Sequence, residues 1–173
     1  MKPATTSSSA TASTARSYVT LGVGDDVFAV DVGYVREILD HQPISNLPHA
    51  PSFLVGMIDV RGRAVPVVDL RRRLGLGPAE TTGNQRILVL EITIGGRALM
   101  LALLCDRVFD VAEFSPAGLE SAPELGVPWK SEYIKAIGRW RGAFIIIFDM
   151  EKLFSTEDIV RLGGGRADGF RGE

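Results

Sequence analysis

The chain has 173 residues, of which 46% are hydrophobic and 23% charged, and its formal net charge is −2. That apolar content can build a real core in one ordinary domain or two very small ones, while a slightly negative chain lacks the broad basic field that attracts nucleic acid. The single cysteine, Cys105, excludes an internal disulfide and fits a reducing compartment.

The longest unbroken apolar run, the eight residues from Ala98 to Cys105, falls far short of the roughly 20 that a membrane helix needs. The Ser/Thr/Ala-rich start has no apolar stretch of the signal-peptide kind. A soluble cytoplasmic protein is expected. Residues 1–15 are low-complexity and 163–173 are rich in glycine and charge, so both are expected as disordered tails around a folded part over 16–162.

In chain order, Tyr18 to Val23 reads as a strand closed by Gly24-Asp25-Asp26, and Val27 to Val32 as a second, with Phe28, Val30 and Val32 on one face. Tyr34 to Leu39 reads as a short helix carrying Tyr34, Val35, Ile38 and Leu39 on one stripe. Val55 to Val60 and Ala64 to Leu70 are strands around Arg61-Gly62-Arg63. Arg86 to Ile94 and Ala98 to Cys105 flank Gly95-Gly96, a hairpin signal. Val108 to Phe114, Ile134 to Trp140 and Ala143 to Met150 complete the strands. Asp69 and Asp149 can each cap a short helical turn, and Thr156 to Leu162 can extend the second as a terminal helix. Strands at this density without long helices between them predict an all-β sandwich or barrel.

The chain also resembles itself. Arg61-Gly62, an apolar strand, and Asp69-Leu70 recur as Arg141-Gly142, an apolar strand, and Asp149-Met150, at a constant shift of 80. A weaker echo at a shift of 73 sets Val108 against Val35 and Asp110 against Glu37. A repeat of this length predicts two related subdomains, over 16–80 and 81–154, each of about five strands.

Four segments carry a wider likeness: Tyr34-Val35-Arg36-Glu37-Ile38-Leu39, Ile44 to Pro51, Val55 to Gly62, and Val65-Pro66-Val67-Val68-Asp69-Leu70. In order and spacing they resemble the chemotaxis coupling protein family, CheW. The resemblance implies two five-stranded Src-homology-3-like barrels packed around a central groove. It also implies a non-enzymatic adaptor that joins the cytoplasmic tip of a chemoreceptor to the regulatory domain of the histidine kinase CheA, recruited to membrane-associated receptor arrays. This chain departs from the family's usual Asn-Leu-Arg-Gly with Asp59-Val60-Arg61-Gly62. It also has Trp140-Arg141-Gly142 where a Leu-Asp-Gly turn is commoner, which marks Trp140 as a contact particular to this chain.

The receptor-binding groove is expected at Val35, Ile38, Leu39, Gly56 and Arg61, since a helix in an apolar groove is a recurrent mode of recognition. Gly56 would either admit a partner backbone or relieve a strand bend. Glu37 and Arg61 resemble a family ion pair, the guanidinium fork suiting a carboxylate. Ile44, Leu47 and Pro48 lie among prolines that stiffen a loop, and the resemblance places a kinase contact there. Arg71-Arg72-Arg73 reads as a solvated helix face, with an anionic-partner patch as the other reading.

Catalytic and metal chemistry find no footing. His41 and His49 have no cysteine near them in sequence, no zinc spacing occurs, and Gly163-Gly164-Gly165 lacks the residues of a phosphate loop. Cys105, ending an apolar strand, reads as a buried thiol. No cofactor is expected. The competing readings are a related scaffold of a non-motility chemosensory pathway, and a small β-barrel binding RNA or an oligosaccharide.

Overall fold

The computed structural model describes residues 15–76, 83–121 and 131–154. The expected tails and the expected helix over Thr156 to Leu162 lie outside these, apart from residue 15. Ten strands follow one another: β1 (Arg16–Val23), β2 (Asp26–Asp31), β3 (Val35–Asp40), β4 (Leu54–Val60), β5 (Arg63–Asp69), β6 (Arg86–Ile94), β7 (Arg97–Cys105), β8 (Arg107–Phe114), β9 (Ile134–Trp140) and β10 (Ala143–Phe148). Two one-turn helices, α1 (Leu70–Arg73) and α2 (Met150–Leu153), follow β5 and β10. Both are capped as expected. The Asp69 carboxylate accepts from the Arg71 amide at 3.0 Å, and that of Asp149 from the Lys152 amide at 3.2 Å.

The strands form two five-stranded sheets, ordered β8-β1-β2-β10-β9 and β3-β6-β7-β5-β4. Two isolated bridges tie the opposite edges of each sheet together. Ser45, just past β3, bridges Met57 on β4, and Glu120, past β8, bridges Ile137 on β9. Each sheet is thereby curled into a barrel.

The membership of the barrels corrects the division at residue 80. The middle barrel takes β3, β4 and β5 together with β6 and β7, whereas the terminal barrel joins β1 and β2 to β8, β9 and β10. The repeat in the sequence is real. The shift of 80 carries the β4–β5 hairpin onto β9–β10, and the two turns match, with Arg61 and Arg141 at φ 53° and 51° and Gly62 and Gly142 at 84° and 79°. Each repeat, however, gives its first two strands to one barrel and its last three to the other. Parallel pairs make the joints: β5 with β7 (Val67 beside Ala102) and β2 with β10 (Phe28 beside Ile146).

This exchange explains strands that are apolar on both faces. On β6, Ile87 and Val89 point into the middle barrel, while Leu88, Leu90 and Ile92 point out of it, into an apolar layer between the barrels. On β1 and β2, Val19, Leu21, Phe28 and Val30 meet them from the terminal barrel, whose own core holds Tyr18, Ala29, Ile145 and Ile147. Period-two alternation assigns each side chain to one of two cores. The layer between the barrels is the largest cluster among the described residues.

Two further expectations are corrected. Tyr34 to Leu39 is not a helix. Val32–Tyr34 form a single 3-10 turn, which leaves Val32 exposed rather than in β2, and Val35 to Asp40 form β3. Residues 34, 35, 38 and 39 satisfy a helical stripe, but six residues cannot decide between the two periods. Pairing with β6, Ile38 beside Leu88 and Leu39 beside Ile87, supplies the backbone partners that select the strand.

Of the three arginines of α1, only Arg72 is exposed as a solvated face would be. Arg71 reaches Asp106 at 3.8 Å, Arg72 donates to the Ser52 carbonyl at 3.2 Å, and Arg73 lies between the rings of Phe53 and Tyr133, 4.8 Å and 5.3 Å from their centres. The short helix abuts the neighbouring barrel, so Arg71 and Arg73 are drawn to internal partners while Arg72 stays half exposed.

Candidate functional site

The chain reverses between β4 and β5 through Arg61-Gly62, both left-handed, the geometry of a two-residue hairpin turn. Asp59 Oδ1 accepts from the Gly62 amide at 2.7 Å, so this aspartate supplies the turn hydrogen bond. Held at this corner, Arg61 places Nε 3.1 Å from Glu37 Oε2 on β3. The expected pair is formed, between an arginine that is 79% exposed and a glutamate that is 26% exposed.

Along β3 the strand conformation divides the expected stripe. Val35 packs against the layer between the barrels and Leu39 against the middle barrel's core, both partly buried. Ile38 points the other way and is 45% exposed. It stands between two charged residues of the same face, each tied to β6. Arg36 donates through Nε to Glu91 at 2.9 Å, and Asp40 pairs with Arg86 at 3.4 Å. The result is an exposed isoleucine framed by two cross-strand ion pairs. Those pairs were invisible to a helical reading of this segment. Their signal lies in the alternation Arg36, Ile38, Asp40 set against Arg86 and Glu91 across an antiparallel pair.

Gly56 sits where the pairing of β4 with β5 shifts register. Its φ is 152°, and a Cβ built there would lie 2.1 Å from the Ser45 carbonyl oxygen and 2.6 Å from Ile44 Cγ2. Its missing side chain makes room for the chain's own crossing at Ser45, which exchanges two backbone hydrogen bonds with Met57, at 2.9 and 2.8 Å. Of the expected loop, Ile44 packs on the middle barrel's core and Leu47 on the central layer, both partly buried, while Pro48 is exposed. Leu47, Pro48 and His49 rim a depression that continues to Val55 and Arg72.

The repeat supplies a second ion pair. Asp110, the counterpart of Glu37, lies 3.6 Å from Arg141, the counterpart of Arg61, and both are exposed.

Cys105 is buried, and burial, assisted by the nearby Asp106 charge, pushes its thiol up to about 12. Such a thiol is not a nucleophile at neutral pH. Among the described residues no group of three or more His, Cys, Asp or Glu is placed to hold a metal ion. No described helix is long and apolar enough to cross a membrane.

Comparison with known proteins agrees with this geometry. The family of the CheW-like domain matches residues 17–158. A probable chemotaxis protein CheW of Rhizobium etli is 30% identical over 143 residues, covering 83% of this chain and 90% of the relative. The chemotaxis protein CheW of Klebsiella aerogenes is 27% identical over 156 residues, covering 90% and 92%. In structure, the chain is similar to the scaffolding protein TtCheW of Thermoanaerobacter tengcongensis, with a TM-score of 0.72 at 24% identity, over 83% of this chain and 90% of that one. This chain therefore belongs to the CheW family, whose members are non-enzymatic scaffolding adaptors of chemotaxis.

Proposed function

We propose that this adaptor couples the cytoplasmic tips of chemoreceptors to the regulatory domain of the histidine kinase CheA, and does so in the cytoplasm at membrane-associated receptor arrays. The observation that carries the reading is the surface of β3. Ile38 offers apolar area held between two ion pairs, with the Glu37–Arg61 pair at the adjoining turn. A receptor helix could lay an apolar side chain on Ile38 while its polar residues meet the flanking charges. Val35 and Leu39 support the strand from beneath, and Gly56 holds the closure of the barrel behind it. The exposed Pro48 loop, anchored by Ile44 and Leu47, is the kinase-facing element, and its anchoring limits the entropy lost on docking. Regulation then follows from position, since holding receptor and kinase in one arrangement shifts the kinase between its states.

The test is a reconstitution of this protein with a receptor cytoplasmic fragment and CheA, following kinase autophosphorylation. Kinase output should rise and respond to receptor only when the adaptor is present. Output indifferent to the adaptor would end the proposal.

A further inference from the structure

Where α2 meets the terminal barrel there is a cavity of about 170 Å³ that the coupling proposal does not use. Its polar residues are Tyr18 on β1, Asp31 at the end of β2, Tyr34 on the turn that follows, Lys135 on β9, and Asp149 and Glu151 at the start of α2. Three carboxylates thus stand against a single ammonium. Asp31 is held by Arg16 at 2.9 Å, and Asp149 caps α2. Glu151 and Lys135 are exposed, and neither forms an ion pair or hydrogen bond among the described residues.

Tyr18 is only 3% exposed. Its ring packs on that of Phe114, the centres 5.7 Å apart, yet its hydroxyl forms no hydrogen bond among the described residues. A buried phenol ordinarily finds a partner. Burial first, and then the Asp31 charge, raise its pKa, which sets the hydroxyl in the field of that carboxylate at the cavity wall. At Tyr34 burial again acts first, followed by Glu151, Asp31 and Asp149, with only Arg16 opposing. The cavity is a place of negative potential.

The fold does not require these groups. Ile147 lies beside Ala29 as Val67 lies beside Ala102, so Asp31 takes the place of Leu104, and its strand partner Tyr18 that of Ile87. The shift of 80 sets Lys135 in place of Val55 and Glu151 in place of Arg71. The middle barrel therefore closes with apolar residues at three of these positions and an arginine at the fourth. That arginine is turned to the chain's own carboxylate, Nε 3.8 Å from Asp106 Oδ2. One repeat supplies its own guanidinium, and the other puts a carboxylate where that arginine stands.

We propose that the cavity binds a small free guanidinium compound. The planar fork of donors goes to the Glu151 and Asp31 carboxylates and to the hydroxyls of Tyr18 and Tyr34. The volume matches about five or six waters of the liquid, enough for a guanidinium with a short alkyl tail. Among the described residues no three acidic, His or Cys groups are placed to hold a metal ion, so the cation is organic. Arg16, Lys135 and Glu151, all exposed, surround it with charge of both signs, which protein interfaces keep out of their cores. That favours a solute over a partner's side chain.

The test is a titration of the full-length, nitrogen-15-labelled protein with ethylguanidinium at constant ionic strength, followed by two-dimensional NMR. Saturable shifts should gather at the amides of Gly33, Lys135 and Glu151, with the roughly millimolar affinity that so few atoms can supply. Ethylurea, neutral and of the same shape, should not bind. Glu151→Gln and Tyr18→Phe should each weaken binding by about fivefold or more. Tyr18→Phe should leave thermal unfolding unchanged, because the hydroxyl holds no bond in the fold. Shifts that fail to saturate or scatter over the surface would overturn the proposal, as would equal binding of ethylurea or undiminished binding by both variants. Tighter binding of the peptide Gly-Gly-Arg-Gly-Gly than of ethylguanidinium would also overturn it, since the occupant would then be a protein's arginine.

Discussion

Arg73 donates through Nε to the carbonyl of Leu153 at 2.8 Å, and Leu153 is the residue that the 80-residue shift sets in place of Arg73 itself. The rings that flank its guanidinium, Phe53 and Tyr133, are likewise counterparts under that shift. Their carbonyls play matching parts, accepting from the amides of Asp69 and Asp149, each at 2.8 Å. Arg73 therefore sits where the two repeats meet and pins α1 to α2. Arg73→Ala should cost about 2 kcal/mol in urea denaturation, from one charge-assisted hydrogen bond and two ring contacts. Arg73→Lys should restore little of it, because a point charge cannot fill the slot between two rings and also reach the carbonyl. Full rescue by lysine would show that charge alone is at work.

Gly56→Ala should be among the most damaging small substitutions. Its Cβ would collide with backbone, the Ser45 carbonyl at 2.1 Å, which cannot move without opening the Ser45–Met57 bridge that closes the middle barrel. A loss of about 3 kcal/mol or more is expected. Gly96→Ala separates strain from collision. Its φ is 81° but a Cβ there meets nothing within 4 Å, so only the left-handed penalty of about 1 kcal/mol applies. Equal losses in the two variants would contradict the collision.

The Glu37–Arg61 pair should matter little to stability. Because Arg61 is largely exposed, Glu37→Gln and Arg61→Ala should each change the unfolding free energy by at most about 1 kcal/mol. Arg61 also occupies a left-handed position, φ 53°, so Arg61→Gly should be at least as stable as Arg61→Ala despite glycine's greater freedom when unfolded. Thermal melts of the three variants check the order.

Cys105 gives the fold a pH dependence on the alkaline side. Its thiol stays protonated to about pH 12 in the native state, against 9.0 for the exposed group. The native state therefore holds a proton that the unfolded chain releases. The associated stability is complete below pH 9 and is lost as pH rises toward 12, at a slope of about 1.4 kcal/mol per pH unit. Comparison with Cys105→Ala isolates this component from tyrosine titration. At neutral pH, alkylation by iodoacetamide should proceed only as fast as the protein unfolds.

Most strand positions were legible in the sequence because local chemistry fixes them. Gly95-Gly96 and the two Arg-Gly turns mark hairpins, and runs such as Arg86 to Ile94 are too apolar for a half-exposed sheet. The ion pair at Arg61 was legible through the resemblance. What the sequence did not reveal depends on contacts between distant segments. The apolar positions of Tyr34 to Leu39 fit either period, and only β6 beside them decides. The 80-residue shift records which segments are alike but not which pair, so the exchange of strands between barrels stayed hidden. Gly56 is explained by Ser45 crossing over it, and Arg73 by rings 20 and 60 residues away in the chain.

The coupling proposal concentrates on Ile38, an exposed side chain that the core does not need. A titration of a receptor cytoplasmic fragment against the unaltered protein and Ile38→Glu, with thermal unfolding recorded for both, tests it most directly. The account predicts an unchanged melt and a loss of receptor affinity of about tenfold or more, as expected for a charge buried at an interface. Unchanged affinity in a folded variant would contradict it.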